Sequence, residues 1–235
     1  MKTLATLAAL AIAVPAAAGN MNLIANGDFS AGNTGFTSQY TYAPSASGAG
    51  IPEGVYLVDT NAQNVHPSWY SFGDHTSGEG NYLIVNGATS TIRGDSKTAW
   101  QQTVTAKAGT KYFFEAWASN ICCNSTFGGS VAPSDLTFTV DDGTTVTTLG
   151  TFTTNPAKPG VWVGLSNTFT TTAAGPLTLR IVNSNLAASG NDFGIDDLNF
   201  GTRSAVPDAA TWSLFVAGFA LVGTAARRRR TTVAV

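Results

Sequence analysis

The sequence predicts an all-β protein, and three observations carry that prediction. Short segments of alternating apolar and polar residues recur along the chain, with turn residues between them. No stretch before the C-terminal tail sustains the helical apolar period. The composition is polar yet nearly uncharged: Asp, Glu, Lys and Arg make up 11% of the 235 residues, against about 25% in ordinary soluble domains. Threonine, serine, asparagine and glycine fill the difference, and a threonine-rich surface suits strands. About ten short strands joined by turns fit a two-sheet sandwich.

The candidate strands follow in chain order. Residues 56–58, 82–85 and 100–104 are short apolar segments bounded by turn residues. Residues 111–118 give the clearest alternation, with Tyr112, Phe114, Ala116 and Ala118 on one face and Phe113, Glu115 and Trp117 on the other. In residues 136–140, Leu136, Phe138 and Val140 alternate with Thr137 and Thr139. Asp141-Asp142-Gly143 then turns the chain into Val146, Leu149 and Phe152, a hairpin whose Asp-Gly pair tolerates positive φ. Residues 161–169 come next, then Leu177, Leu179 and Ile181 alternating with Thr178 and Arg180, and residues 193–200 close the set. Residues 43–51 and 123–133 read as loops. Trp100, Trp117 and Trp162 fall in strand candidates and are assigned to the core.

The two ends carry an address. Lys2 precedes an apolar run at 4–14, Pro15 breaks it, and Ala16-Ala17-Ala18 supplies the small residues of an A-x-A cleavage site, with Ala16 and Ala18 at its small positions. That order predicts a secretion signal over 1–18, read by the Sec export machinery. At the other end, 209–226 contains no charged residue and is followed at once by Arg227, Arg228, Arg229 and Arg230. As a helix this segment reaches about 27 Å, close to the ~30 Å hydrocarbon core. The arginines then stay on the cytoplasmic side, which leaves the intervening domain, 20–203, outside. Both ends predict the same topology.

Lys2 and the four terminal arginines contribute to a basic total of 12 against 14 acidic residues, so the domain between the ends is acidic. An acidic domain excludes nucleic acid as a partner, because phosphates demand a basic surface.

Val206-Pro207-Asp208-Ala209-Ala210-Thr211-Trp212, then Gly218-Phe219, Val222-Gly223 and the arginine cluster, resemble the PEP-CTERM sorting tail. Asp208 stands where that family usually has Glu, and Ala209 where a second Pro is usual. The resemblance, over 206–230, implies an exosortase-type sorting protease that cuts near the motif and a membrane helix held only during sorting. The protein would then end at the cell surface or outside.

The domain draws a second resemblance. Residues 22–30 with Gly35-Phe36, residues 100–104 with Ala108-Gly109-Thr110, and residues 192–200 look like the opening, middle and closing strands of galactose-binding-like jelly rolls. This implies a jelly-roll-like β-sandwich whose first and last strands lie near one another. Many proteins of that fold bind carbohydrate, and a structural Ca²⁺ is often held between those strands. On the resemblance, Asp28 and one of Asp196 or Asp197 would supply calcium oxygens, and six to eight oxygens are needed. In a regular strand Asp196 and Asp197 point to opposite faces. The alternative is a strand-end carboxylate that caps backbone N–H groups.

Three further constellations are singled out. Trp69 and Tyr70, between Pro67 and Gly73, would stack on sugar rings if exposed, or pack in the core or a loop if not. His66 and His75 are the only histidines, so any imidazole acid–base chemistry uses one of them. Asp74-His75-Thr76 reads first as a turn whose Asp and Thr side chains bond its own backbone. Cys122 and Cys123 are adjacent and are the only cysteines. An oxidising exterior favours a bridge between them, while free thiols or pairing between chains stay open. With no Cys-x-x-Cys, zinc is not expected.

A glycosidase needs two carboxylates across the scissile bond, and none of the acidic residues falls in a recognisable catalytic motif. The sequence therefore reads as an exported, non-catalytic surface protein that associates with extracellular polysaccharide. A structural surface protein that contacts other proteins is the alternative, and a glycoside hydrolase the more distant one.

Overall fold

A computed structural model describes residues 22–46, 48–89, 97–125 and 127–202. The signal segment with Ala16 and Ala18, and the tail from Val206 through Trp212 to Arg230, lie outside the described residues. Among the described residues no helix is long and apolar enough to cross a membrane.

Among the described residues ten strands and one short helix follow in order: β1 (Thr41–Tyr42), β2 (Val55–Asp59), α1 (Ala62–Val65), β3 (Tyr82–Asn86), β4 (Lys97–Ala106), β5 (Lys111–Asn120), β6 (Asp135–Asp141), β7 (Val146–Thr153), β8 (Val163–Thr170), β9 (Gly175–Asn183) and β10 (Phe193–Gly201). They form two sheets, one of six strands in the order β1-β2-β3-β10-β5-β8 and one of four in the order β4-β9-β6-β7. Only β1 and β2 pair in parallel. The expected all-β sandwich is the fold.

Alternation decides which side chains meet between the sheets. Tyr112, Phe114, Ala116 and Ala118 of β5 face Leu136, Phe138 and Val140 of β6 and Leu177, Leu179 and Ile181 of β9 in one buried cluster. Each fully buried Leu, Ile or Phe there contributes about 1.5–3 kcal/mol. The β6–β7 hairpin turns where Asp142-Gly143 predicts it. Gly143 has φ 85°, and Asp142 Oδ1 accepts from the N–H groups of Thr144 and Thr145 at 2.9 and 2.7 Å.

A second apolar cluster lies on the opposite, outer side of the six-stranded sheet. Leu57, Tyr82 and Ile84 project outward from β2 and β3, and the chain from 61 to 72 crosses over them. That crossing contains α1, which its single turn hid from any periodicity; Asn61 caps it by accepting from Gln63 N–H. The outer face is therefore half covered. Over β2 and β3 it carries a lid of Trp69, Phe72 and Trp162, and along β5 and β8 the cover thins to a hollow lined by Glu115, Trp117, Gly164, Leu165 and Ser166.

One expectation fails in β10. Asp196 pairs with Trp117 and Asn199 with Glu115, so β10 holds one residue more than β5 between those pairs. Asp197, at φ 49°, takes up that β-bulge. The extra residue breaks the alternation of the closing strand. Ile195, Leu198 and Phe200 still point into the core, while both aspartates meet the same loop on the outer face.

Candidate functional site

The open part of the outer face ends in a groove of about 570 Å³. Three parts of the chain build it, and each is fixed by a local rule.

The first wall is the segment after Asn22. Leu23 N–H donates to Phe200 O at 2.8 Å, and the Asn22 side chain both donates to Leu198 O and accepts from Phe200 N–H, at 2.8 and 2.9 Å. Gly27 then passes so close to the bulge that a Cβ there would sit 2.1 Å from Leu198 O. Only glycine allows this approach, and Leu198 N–H donates to Gly27 O at 2.9 Å. Asn26 closes the following turn, accepting from Ala31 N–H and donating to Gly32 O and Thr34 O. Asp28 is thereby held at the groove.

The second wall is the 73–80 loop. Asp74 accepts from Ser77 N–H, Gly80 N–H and the Ser77 hydroxyl at 3.0, 2.8 and 2.9 Å. Burial works against its charge, but those donors outweigh it and hold the carboxyl below its usual range. The turn reading holds for Asp74 and fails for Thr76, whose hydroxyl donates to Asp197 instead of the turn's own backbone. Trp162 Nε1–H donates to Gly73 O at 3.1 Å and pins the loop's root.

The floor comes from the outward-facing residues of β5 and β10. Glu115 is 5% exposed and accepts from the Asn199 amide at 3.0 Å. Trp117 is half-buried, with its ring against Gly164 of β8, where a Cβ would stand 3.1 Å from it. Glu115 and Trp117 also line a smaller adjoining hollow with Gly164, Leu165 and Ser166, so the trough continues across β5 toward β8.

Loop and floor lock together at the bulge. The His75 ring stacks on Trp117 with centroids 3.7 Å apart and planes 17° from parallel. His75 Nδ1 lies 2.6 Å from Asp197 Oδ2, which also accepts from the Thr76 hydroxyl at 2.5 Å. His75 N–H donates to Asp196 Oδ2 at 2.9 Å. Asp196 is 1% exposed, and burial, with the charge of Asp197, pushes its carboxyl up to about 8 despite that donor.

The structure thus redistributes the residues singled out from sequence. Trp69 is 2% exposed. It is part of the lid's core, with Nε1–H donating to Asp192 Oδ2 at 3.2 Å and the His66 ring 5.1 Å away. It offers no face to a sugar, because buried indole packs its rings and spends its N–H on a partner. Tyr70 beside it is 42% exposed but stands outside the groove. Trp117, assigned to the core from sequence, is the groove's aromatic. Its alternation partner Glu115 was the available signal, since a strand face carrying a glutamate is seldom the core face.

Asp28 and Asp197 line one groove with Asp196 buried beside it, and each carboxylate already accepts from a protein donor. Asp28 Oδ1 accepts from the Ser30 hydroxyl at 2.9 Å. Asp196 accepts from backbone N–H groups of His75 and Asp197, and Asp197 is taken by His75 and Thr76. Among the described residues no group of three His, Cys, Asp or Glu side chains is placed to hold a metal ion. Cys122 and Cys123 are joined in a vicinal disulfide at the end of β5, where Cys122 packs in the lid's core with Trp69.

No protein-family model matches the chain, and no curated protein sequence matches it. Several solved structures share its architecture loosely. A cyclase from Fischerella sp. TAU is 16% identical with a TM-score of 0.48, covering 75% of this chain and 94% of that one. A family 16 carbohydrate-binding module is 18% identical with a TM-score of 0.43, covering 76% and 99%. The enzymatically active domain of tailspike protein 4 of bacteriophage CBA120 is 10% identical with a TM-score of 0.44. It is covered over 77% of this chain but only 21% of its own, so the chain spans about a fifth of that protein.

Proposed function

We propose that this chain is an exported, non-catalytic β-sandwich that binds polysaccharide in the groove between the 22–28 segment and the 73–80 loop. The observation that carries the reading is the make-up of the groove: an aromatic floor of Trp117 with the His75 ring stacked on it, ringed by Asn22, Asn26, Asp28, Asp197 and Asn199. A sugar ring presents apolar C–H faces and a rim of hydroxyls. The outer side of the His75–Trp117 stack takes the first, and carboxylates and amides, each with two polar atoms, take pairs of the second. A concave site with few convergent polar groups is the usual form of a ligand pocket.

The two chain ends support the cellular half of the proposal. The signal over 1–18 sends the domain out, and the tail with Val206, Pro207, Asp208, Ala209 and Trp212 hands it to an exosortase-type protease. The helix over 209–226 holds the membrane only until that cut, and the mature protein is left at the surface with extracellular polysaccharide as its partner.

A glycan array probed with the mature protein purified from cells tests the binding half. Saturable binding to at least one polysaccharide, lost in Trp117→Ala, is the expected result; no binding to any glycan would remove the reading. Intact mass tests the address. The expected mature product lacks 1–18 and Arg227 to Arg230, and a mass that retains the arginines would make the tail a permanent anchor.

A further inference from the structure

Among the described residues the two sheets end in the edge strands β1, β8, β4 and β7, and three of those edges are guarded. A strand edge presents a row of unpaired N–H and C=O groups that another strand can take. β1 is only two residues long. β4 begins at Lys97 and is bulged between Thr98 and Trp100. Residues 37–39 also close it: Thr37 and Gln101 exchange both backbone hydrogen bonds, each at 2.9 Å, and Gln39 N–H donates to Thr98 O at 2.9 Å. β7 is bulged at Leu149, whose carbonyl takes the Asn167 side-chain amide.

β8 has none of these guards. It pairs with β5 over all eight of its residues in unbroken register. It carries no charged residue and no proline, and among the described residues no strand lies on its other side. Alternation decides which groups it shows. Thr171 N–H, just past the strand, donates to Thr110 O at 3.1 Å. The odd-numbered residues of β8 therefore turn their N–H and C=O toward β5, and the even-numbered ones turn theirs outward. Thr168 N–H accordingly goes to its neighbour's Asn167 Oδ1, at 2.7 Å. Val161 and Val163, 51% and 43% exposed, add apolar surface at the strand's start.

We infer that β8 is a self-association edge, on which a second copy of this chain adds its own β8, antiparallel, about a two-fold axis. The edge is its own complement. Outward groups belong to even-numbered residues, and a two-fold that sets Gly164 across from Thr170 and Ser166 across from Thr168 brings even-numbered residues together throughout. On the inner side the same register sets Leu165 across from Phe169 of the second copy. Both lean on the core and are only half-buried in the single chain. Cross-strand apolar pairs stabilise a sheet, and a joint that uses one surface twice closes at the dimer. Charge favours this edge as well: two acidic molecules meet at a strand with no charge to repel its copy. Both outer faces, and with them both grooves, then lie on the same side of a sheet that runs through the two copies.

Sedimentation equilibrium of the mature protein purified from cells, from about 1 µM to about 1 mM, tests the inference. The mass is expected to rise with concentration to about twice that of one chain and to stop there. Ser166→Pro removes an outward N–H and leaves the bonds to β5 in place, and Thr168→Lys sets two like charges at the joint. Each should keep the wild-type melt within a few degrees and weaken association about tenfold or more. Thr105→Lys, at an exposed position on the far edge strand β4, should leave association unchanged. Should Ser166→Pro fail to fold, Thr168→Lys decides.

A mass that stays at one chain throughout, or that climbs past two, overturns the inference. So does a dimer that Thr168→Lys leaves intact, or one that Thr105→Lys weakens equally. No glycan enters this test, so its outcome is read separately from that of the polysaccharide reading.

Discussion

The outer face of the six-stranded sheet has two halves that differ in one respect, and the difference explains the site. Over β2 and β3 the chain from 61 to 72 lies across the sheet and buries Trp69 to 2% exposure. Over β5 the cover narrows to the 73–80 loop, whose His75 ring stacks on Trp117 and leaves it half-buried at the floor of a groove. The two tryptophans sit on the same side of the same sheet. One is a structural residue because a distant segment folds over it, and the other keeps part of its surface open because the loop covers it with a single imidazole, that of His75. What an outward-facing aromatic does here is decided by where the covering loop ends, not by the strand that bears it.

The sharpest way to break the comparison is to truncate each tryptophan in turn. Trp69→Ala should cost about 4 kcal/mol in a denaturant melt, because it empties the lid's core and takes a donor from buried Asp192. Trp117→Ala should cost less than half of that, while it removes glycan binding. Equal losses of stability would show that the open half is as much a core as the covered half.

Gly27→Ala comes next. Its Cβ meets the backbone oxygen of Leu198 and cannot be relieved by a rotamer change, so about 3 kcal/mol of stability should go, within the range of severe single substitutions. The same change should distort the groove wall and weaken binding. A variant with an unchanged melt would mean that the first segment is not held against the bulge.

The third test is pH. Burial pushes the Asp192 carboxyl up to about 7 and that of Asp196 to about 8, from about 4 when unfolded. Between those values the folded state binds more protons than the unfolded one, so stability falls as pH rises through about 7 and 8. The melting temperature should therefore be higher at about pH 5 than at about pH 9. His66, whose pKa burial lowers, works the other way below about 6.5 and trims the gain. Asp192→Asn should flatten the lower part of the profile. A melt that rises with pH across this window would contradict the placement of both aspartates.

Gly164→Ala is a smaller perturbation that sharpens the comparison. The added methyl meets the Trp117 ring at 3.1 Å, so the ring must shift, and glycan binding should weaken about threefold while stability drops by about 1 kcal/mol or less. The smallest expected effect belongs to metal. With Asp28, Asp196 and Asp197 committed to protein donors, excess EDTA should leave the melting temperature unchanged. A fall of several degrees would show that other oxygens assemble around a cation.

How much of this was legible follows from which signals are local. The strands and the inner core were readable because alternation is a property of consecutive residues: Phe114 and Phe138 face each other as their spacing predicts. The β6–β7 turn was readable because Asp142-Gly143 carries its own backbone preference. The roles of Trp69 and Trp117 were not, since they depend on a segment crossing from elsewhere in the chain. The bulge at Asp197 was equally hidden, as one inserted residue leaves no composition behind it. Asp74 and its turn were read correctly, but the contact of His75 with Asp197 joins residues 122 positions apart. Glu115 was the missed clue, because its presence beside Trp117 already argued against a core face.

The central claim is that the working aromatic is Trp117 and not the Trp69–Tyr70 pair. Titrating a binding glycan into the wild type, Trp117→Ala and Tyr70→Ala, with the melting temperature recorded for each, tests it most directly. The account predicts that Trp117→Ala folds and fails to bind, while Tyr70→Ala binds as the wild type does. Loss of binding in Tyr70→Ala with full binding in Trp117→Ala would contradict it.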